Sequence, residues 1–234
     1  MLKKFKISFS VFFLLIISSA VFSQKNNLPS IPVGEWSYLI MMNGTKIGTA
    51  LLTNKLEKNL YISTSEMKIK INQIINISSQ IITETTDYQP VKIETNNKII
   101  NQKKIQSSQS IALIKNKKIN LTVNGSPSTF SIKQPFVFDG NYFTAELLKK
   151  KFKKGLELKA FLYDPSIEIE KPFAVTVKVL GPEKIILDNK KVELIHLKQS
   201  IENIKTIDSY VNQKGILQKA TIQMANNKIE LLKI

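Results

Sequence analysis

From Gly34 onward the chain reads as short runs of alternating apolar and polar residues, separated by Asn, Gly and Pro turns. The clearest unit is Gly34 to Leu52, where two strand-like runs flank Asn43-Gly44. That dipeptide suits a type I′ turn, because both central residues need φ > 0. Gly48 in the return strand predicts a bulge or a close backbone approach. Asn59 to Ile71 then alternates strictly, with Tyr61, Ser63, Ser65, Met67, Ile69 and Ile71 on one face. Ile74 to Tyr88 repeats the pattern, with Ile75, Ile77, Ser79, Ile81 and Thr83 sharing a face, and Gln89-Pro90 breaks it. Further strands are expected over Val91–Ile99, Lys104–Ile114, Ile119–Val123 and Thr129–Lys133. Turns about every ten residues point to an antiparallel meander and not to a parallel sheet with crossover helices.

The period changes between Pro135 and Gly155. After the aromatics Phe136, Phe138, Tyr142 and Phe143, the apolar positions Leu147, Leu148 and Phe152 recur at helical spacing. Asp139 or Asn141 can cap a helix over 142–154, Gly155 can end it, and its late lysines suit the macrodipole. Strands resume at Leu156–Tyr163, with a turn at Asp164-Pro165. Phe173–Leu180 follows and is broken at Gly181-Pro182. Lys184–Leu187 and Lys191–Gln199 form a hairpin, and three more strands reach Ile234. The predicted fold class is mainly β: a long curved antiparallel meander, either a half-barrel or a two-lobed sheet, with one helix mid-chain.

Before this region stands a different pattern. Lys3, Lys4 and Lys6 precede an apolar run, Ile7 to Phe22, and Val21-Phe22-Ser23 offers residues a signal peptidase accepts. The expectation is a signal peptide over 1–23, since the run is shorter than the roughly 20 residues that span a bilayer comfortably. A retained anchor is the alternative. The remaining 24–234 is expected to be one exported β domain, with an N-terminal meander 33–133, the helix 142–154 and a C-terminal meander 156–234. The chain has no Cys. A lipidated cysteine, disulfides, thiolate metal sites and a Cys nucleophile are thereby excluded, leaving a periplasmic or extracellular protein that is not a lipoprotein.

Charge changes the picture less than its size suggests. The net charge is +16 over 234 residues, every basic residue is Lys, and there is no Arg. Arg is the preferred residue for bidentate phosphate and guanine contacts, so specific nucleic-acid recognition is not expected. The lysines are spread along the strands, where they favour solubility and blunt sheet edges. A weak attraction to anionic surfaces is the remaining functional reading.

Three stretches resemble known proteins. They are the Trp36-to-Gly48 hairpin, the helix-Gly155-strand segment closing at Asp164, and Asp208-Ser-Tyr-Val-Asn-Gln-Lys-Gly215-Ile-Leu-Gln-Lys. In this order they are similar to the β-rich, non-catalytic region of secreted bacterial transglutaminase-like proteins. They are also similar to uncharacterised periplasmic β proteins shaped like lipoprotein carriers. Without a Cys nucleophile, the resemblance implies a scaffold lacking transglutaminase chemistry.

Candidate chemistry is sparse. His196 is the lone histidine, and metal sites need several ligands. No phosphate loop, nucleophile elbow or metalloprotease helix is present. No catalytic residue, metal ligand or cofactor is therefore assigned. Trp36, Phe136, Phe138, Tyr142 and Phe143 are the candidate ligand-binding set, expected to line an apolar cleft between sheet and helix. The functional expectation is an exported non-enzymatic binding or scaffold protein of the bacterial cell envelope, holding an apolar ligand or an envelope protein's segment on the curved sheet. Two alternatives stand beside it. One is an envelope-polymer hydrolase using Glu168, Glu170 or Asp139, in which acids such as Glu168 with Glu170, or Asp139 with Glu146, would have to converge. The other is a structural subunit of an envelope complex that assembles by strand pairing.

Overall fold

A computed structural model of the chain describes residues 28–102, 104–115, 118–202, 205–224 and 226–234. The expected signal peptide over 1–23 lies outside the described residues.

The described chain forms β1 (Gly34–Met42), β2 (Thr45–Glu57), β3 (Leu60–Ile71), β4 (Ile74–Thr85), β5 (Pro90–Asn101), β6 (Lys104–Lys115), β7 (Lys118–Val123) and β8 (Ser126–Ser131). The helix α1 (Asn141–Lys149) follows. Then come β9 (Glu157–Leu162), β10 (Phe173–Leu187), β11 (Lys190–Ile201), β12 (Lys205–Val211), β13 (Leu217–Met224) and β14 (Asn227–Lys233). All fourteen strands belong to one antiparallel sheet. Sequence neighbours pair throughout, and β1 pairs with β14 to join the two halves. This is one continuous curved sheet and not two lobes. It is not closed into a barrel: β8 and β9 are its edges, and the chain crosses between them through α1. On the way, Val137 pairs in parallel with Leu162, donating its N–H to Phe161 O at 3.0 Å and accepting from Tyr163 N at 2.9 Å. That contact covers part of the β9 edge. At the other edge, Pro127 removes one N–H from β8.

Local chemistry explains the central hairpin. Asn43 and Gly44 have φ of 49° and 81°, and Met42 pairs directly with Thr45, as a two-residue I′ loop requires. The register slips between Ile40 and Met41, so Ile47 is the extra, bulged residue. Gly48 is also a point of close approach. A Cβ there would lie 2.2 Å from the Lys68 carbonyl oxygen of β3.

The helix begins one residue before the expected 142–154 and ends five residues sooner, at Lys149. Lys151 and Phe152 turn left-handed, at φ 49° and 48°. Their N–H groups fold back onto Leu148 O at 3.0 Å and Leu147 O at 2.9 Å, which satisfies the last-turn carbonyls and returns the Phe152 ring to the core. Gly155 then hands the chain to β10 through its N–H on Val179 O at 2.8 Å. Another expectation that changes is the break at Gly181-Pro182. β10 runs through it, with the register slipping between Val179 and Gly181. A bulge accommodates a proline that cannot donate to the ladder.

Helix and sheet make the main core. Phe143, Leu147 and Phe152 pack with Tyr38, Ile40, Met67 and Ile69 on one side and with Val175, Val177, Leu197 and Ile222 on the other. Strands far apart in the sheet order meet only because the sheet curls round the helix, which fills the concave face.

Candidate functional site

The sequence-predicted aromatics do not line one cleft. Phe136 and Phe138 sit 6.0 Å apart beside Tyr163, in a separate cluster against β4–β7. Tyr142 lies edge-on to Tyr88 at 6.4 Å, and Tyr88 stacks on Tyr61 at 5.4 Å. Phe143 is wholly buried in the main core. Only Trp36, half-buried, faces an open cleft.

That cleft is small, about 60 Å³, and mostly apolar. Its walls come from four places. The leader supplies Ile31 and Pro32, the β1–β2 hairpin Trp36 and Leu52, the start of α1 Thr144, and the β12–β13 turn Ile216. Each wall is fixed. The leader is held by Tyr88 Oη donating to Pro29 O at 2.9 Å and by Asn54 Nδ2 donating to Pro32 O at 3.3 Å. Tyr38 Oη donates to Leu217 O at 3.1 Å, and burial pushes its phenol well up. In the turn, Asn212 Oδ1 accepts from the N–H groups of Lys214 and Ile216, both at 3.0 Å. Gly215 has φ 80°, and a Cβ there would stand 2.7 Å from Thr144 Cγ2. The glycine thus lets the turn lie against the helix.

Ile216 is also shared by two wider depressions. One, about 810 Å³ and open, runs between Leu148 in the last turn of α1, Lys151 and Phe152 just after it, and Leu194 of β11. The other lies over Val33 and Trp36. Trp36, Leu148 and Ile216 therefore form an apolar mouth with Lys151 and Lys214 at its rim. Ile216 and its turn were missed as site residues. The glycine in Gln213-Lys214-Gly215-Ile216 was the available signal.

Behind the cleft lies a buried polar network. Asn141 Nδ2 donates to Ser63 Oγ at 2.7 Å and to Glu84 Oε2 at 3.1 Å, and Asp139 Oδ1 accepts from Asn141 N at 2.9 Å. Glu84 is fully buried and its Oε1 has no hydrogen-bond partner; a second carboxyl, Asp139, and the Phe138 N–H lie beside the group. One proton shared by the pair satisfies both. Burial pushes Glu84 well up, and the Asp139 charge adds to this. Burial also raises Asp139 to about 6, against opposing hydrogen bonds from Asn141 N–H and Glu84. The folded state therefore holds protons that the unfolded chain releases above about pH 4. Stability from this pair is full below that value and is lost as pH rises through the folded values, for Asp139 through about 6. Thermal melts should show Tm falling across that window. Glu84→Gln gives Asp139 a permanent N–H donor, so the fall should flatten; an unchanged slope would place the titration elsewhere.

Both carboxyls of this pair are buried. Asp139 meets Glu84, not Glu168 or Glu170; Glu170 is exposed, and Glu146 pairs with Lys150 at 3.4 Å. Neither Asp139, Glu168 nor Glu170 lines any of the clefts above. His196 bridges two acids on the neighbouring strands. Its Nδ1 lies 2.7 Å from Glu183 Oε2 and its Nε2 lies 2.9 Å from Asp208 Oδ1, with the ring stacked on Tyr210. Among the described residues no group of three or more His, Cys, Asp or Glu is arranged to hold a metal.

No family model matches the sequence, and no curated protein matches it. Among solved structures, the chain is similar to a β-barrel-like protein of the domain of unknown function DUF1849 from Brucella abortus. The two are 13% identical over 86% of this chain and 94% of that one, with a TM-score of 0.64. A DUF1089 protein from Pseudomonas aeruginosa aligns at 10% identity over 85% and 95% of the two chains, with a TM-score of 0.36. The hypothetical lipoprotein YmcC from Escherichia coli aligns at 11% identity over 89% and 90%, with a TM-score of 0.29. The transglutaminase-like half of the resemblance finds no support in these likenesses. What the chain shares with the Brucella abortus protein is a fold: a curved, barrel-like antiparallel sheet.

Proposed function

We propose that this is an exported, non-enzymatic binding or scaffold protein of the bacterial cell envelope, and that it engages an apolar ligand or partner segment at the mouth formed by Trp36, Leu148 and Ile216. The observation that carries this reading is the convergence of three depressions on Ile216, with apolar walls and a lysine rim. The helix fills the concave face, so the ligand enters the mouth and does not thread the sheet. The basic rim and the net charge of +16 favour an anionic head group or an acidic flank on whatever binds. Export is supported by Lys3, Lys4, Lys6 and the apolar run after them.

A photo-reactive amino acid in place of Ile216, in protein expressed in its native envelope, tests the reading. Cross-linking should be strong at 216 and weak at Ile186, an exposed residue of the β10–β11 hairpin. The mass of the adduct distinguishes lipid from protein. Equal labelling at both positions, or none, would remove the proposal.

A further inference from the structure

We propose a second binding site, for a neutral saccharide, on the inner face of β4–β6 beneath the turn that follows β9. The face itself is unusual. In β4 the isoleucines Ile75, Ile77 and Ile81 share a side, but it is Asn76, Ser78, Gln80 and Glu84 that are buried. The row continues across the ladder: Ser78 pairs with Asn97, which pairs with Ser108, and Gln80 pairs with Thr95, which pairs with Ser110. A cavity of about 190 Å³ opens over this polar band, more than ten times the roughly 10–15 Å³ that admits a single water.

Its roof is pinned. Asp164 Oδ2 accepts from Gln80 Nε2 at 3.0 Å, while Asp164 Oδ1 accepts from Ser166 N at 2.8 Å and from Ser166 Oγ at 2.6 Å. Pro165 and Ser166 thereby face Ser78, Thr95, Asn97 and Ser110 across the space. Ser78, 5% exposed, belongs to the cavity wall, and its hydroxyl is buried there without a hydrogen-bond partner. That cost is recovered when the short side chain rotates towards the cavity and pairs with a ligand group.

The lining selects the ligand class. None of the lining residues is charged, in a chain that is 22% charged, so an anion or cation would enter without a counter-charge. Thr95 and Ser110 bond each other and Asn97 accepts from Asn76 Nδ2, but an apolar ligand would leave the Ser78 hydroxyl and the free Asn97 amide donors without partners. Ser, Thr and Asn side chains each donate and accept, which matches the paired donor and acceptor character of sugar hydroxyls.

Saturation-transfer NMR and calorimetry on the intact protein, with maltotriose, cellotriose and chitotriose, test the proposal. Glucose 6-phosphate and trialanine serve as controls. At least one neutral trisaccharide should bind with a Kd at or below about 1 mM. Ser78→Val should weaken it at least about tenfold with an unchanged circular dichroism spectrum. If that variant misfolds, Asn97→Ala, at a half-buried rim position, should produce the same loss. No transfer to any trisaccharide, equal binding of either control, or full binding by the folded variants would overturn the proposal. Trp36→Ala should leave saccharide binding intact, so this site and the apolar mouth fail or stand separately.

Discussion

Gly48→Ala should destabilise the protein by about 3 kcal/mol or more, at or above the upper end of the range for overpacked sites. Gly48 is not among the glycines with positive φ, so the cost is not conformational. The new Cβ would lie 2.2 Å from the Lys68 carbonyl oxygen and 3.0 Å from Ile69 Cα. Both are backbone atoms at the end of the β2–β3 ladder, where Gly48 and Ile69 form its first pair. No rotamer change relieves such a clash; the strands must separate. Gly44→Ala is the informative contrast. Gly44 has φ 81° and nothing within 4 Å of its would-be Cβ, so its cost is left-handed strain alone, about 1–2 kcal/mol. Chemical denaturation should rank Gly48→Ala as the more damaging change. The reverse order would mean that the hairpin is limited by its turn and not by the packing of its strands.

Phe143→Ala should cost about 3–5 kcal/mol, the usual range for removing a buried aromatic ring. In a chain of this length that lowers Tm by on the order of 10 °C. Phe143 is wholly buried and packs with Leu147 and Phe152 against both halves of the sheet. The nine-residue helix is too short to be stable without such packing. Loss of the ring should therefore release α1 as well as open a cavity. Hydrogen exchange should accelerate in α1 and in the β12–β13 turn that leans on it through Gly215, while the β3–β4 ladder stays protected. Uniform acceleration across the sheet would show that the helix is not an independently detachable plug.

The turns and strands were legible because their chemistry is local. Asn43-Gly44 dictates its own turn, Gly48 announced the close approach, and period-two alternation located the strands. Alternation names two faces without saying which is inside. In β4 the face of Ile75, Ile77 and Ile81 is not the more buried one, because Gln80 and Glu84 on the other face find inward partners supplied by residues far along the chain. Glu84 meets Asp139 and Asn141, and Gln80 meets Asp164. Those meetings depend on how the sheet curls, which no local pattern encodes. The same curl scattered the aromatics: Phe136 and Phe138 are close in sequence to Phe143, yet they pack in a different cluster. Trp36 alone was both visible in the sequence and placed at an opening.

Trp36 is the only tryptophan in the chain, so its emission reports on the mouth without labelling. The most direct test of the account is to titrate the protein with laurate below its micelle concentration, with dodecyltrimethylammonium as the cationic comparison. An apolar mouth with a lysine rim predicts a saturable blue shift with laurate and weaker binding of the cationic chain. Replacing Ile216 with Glu should abolish the shift. An emission spectrum that does not move, or that drifts linearly and equally with both amphiphiles, would contradict it.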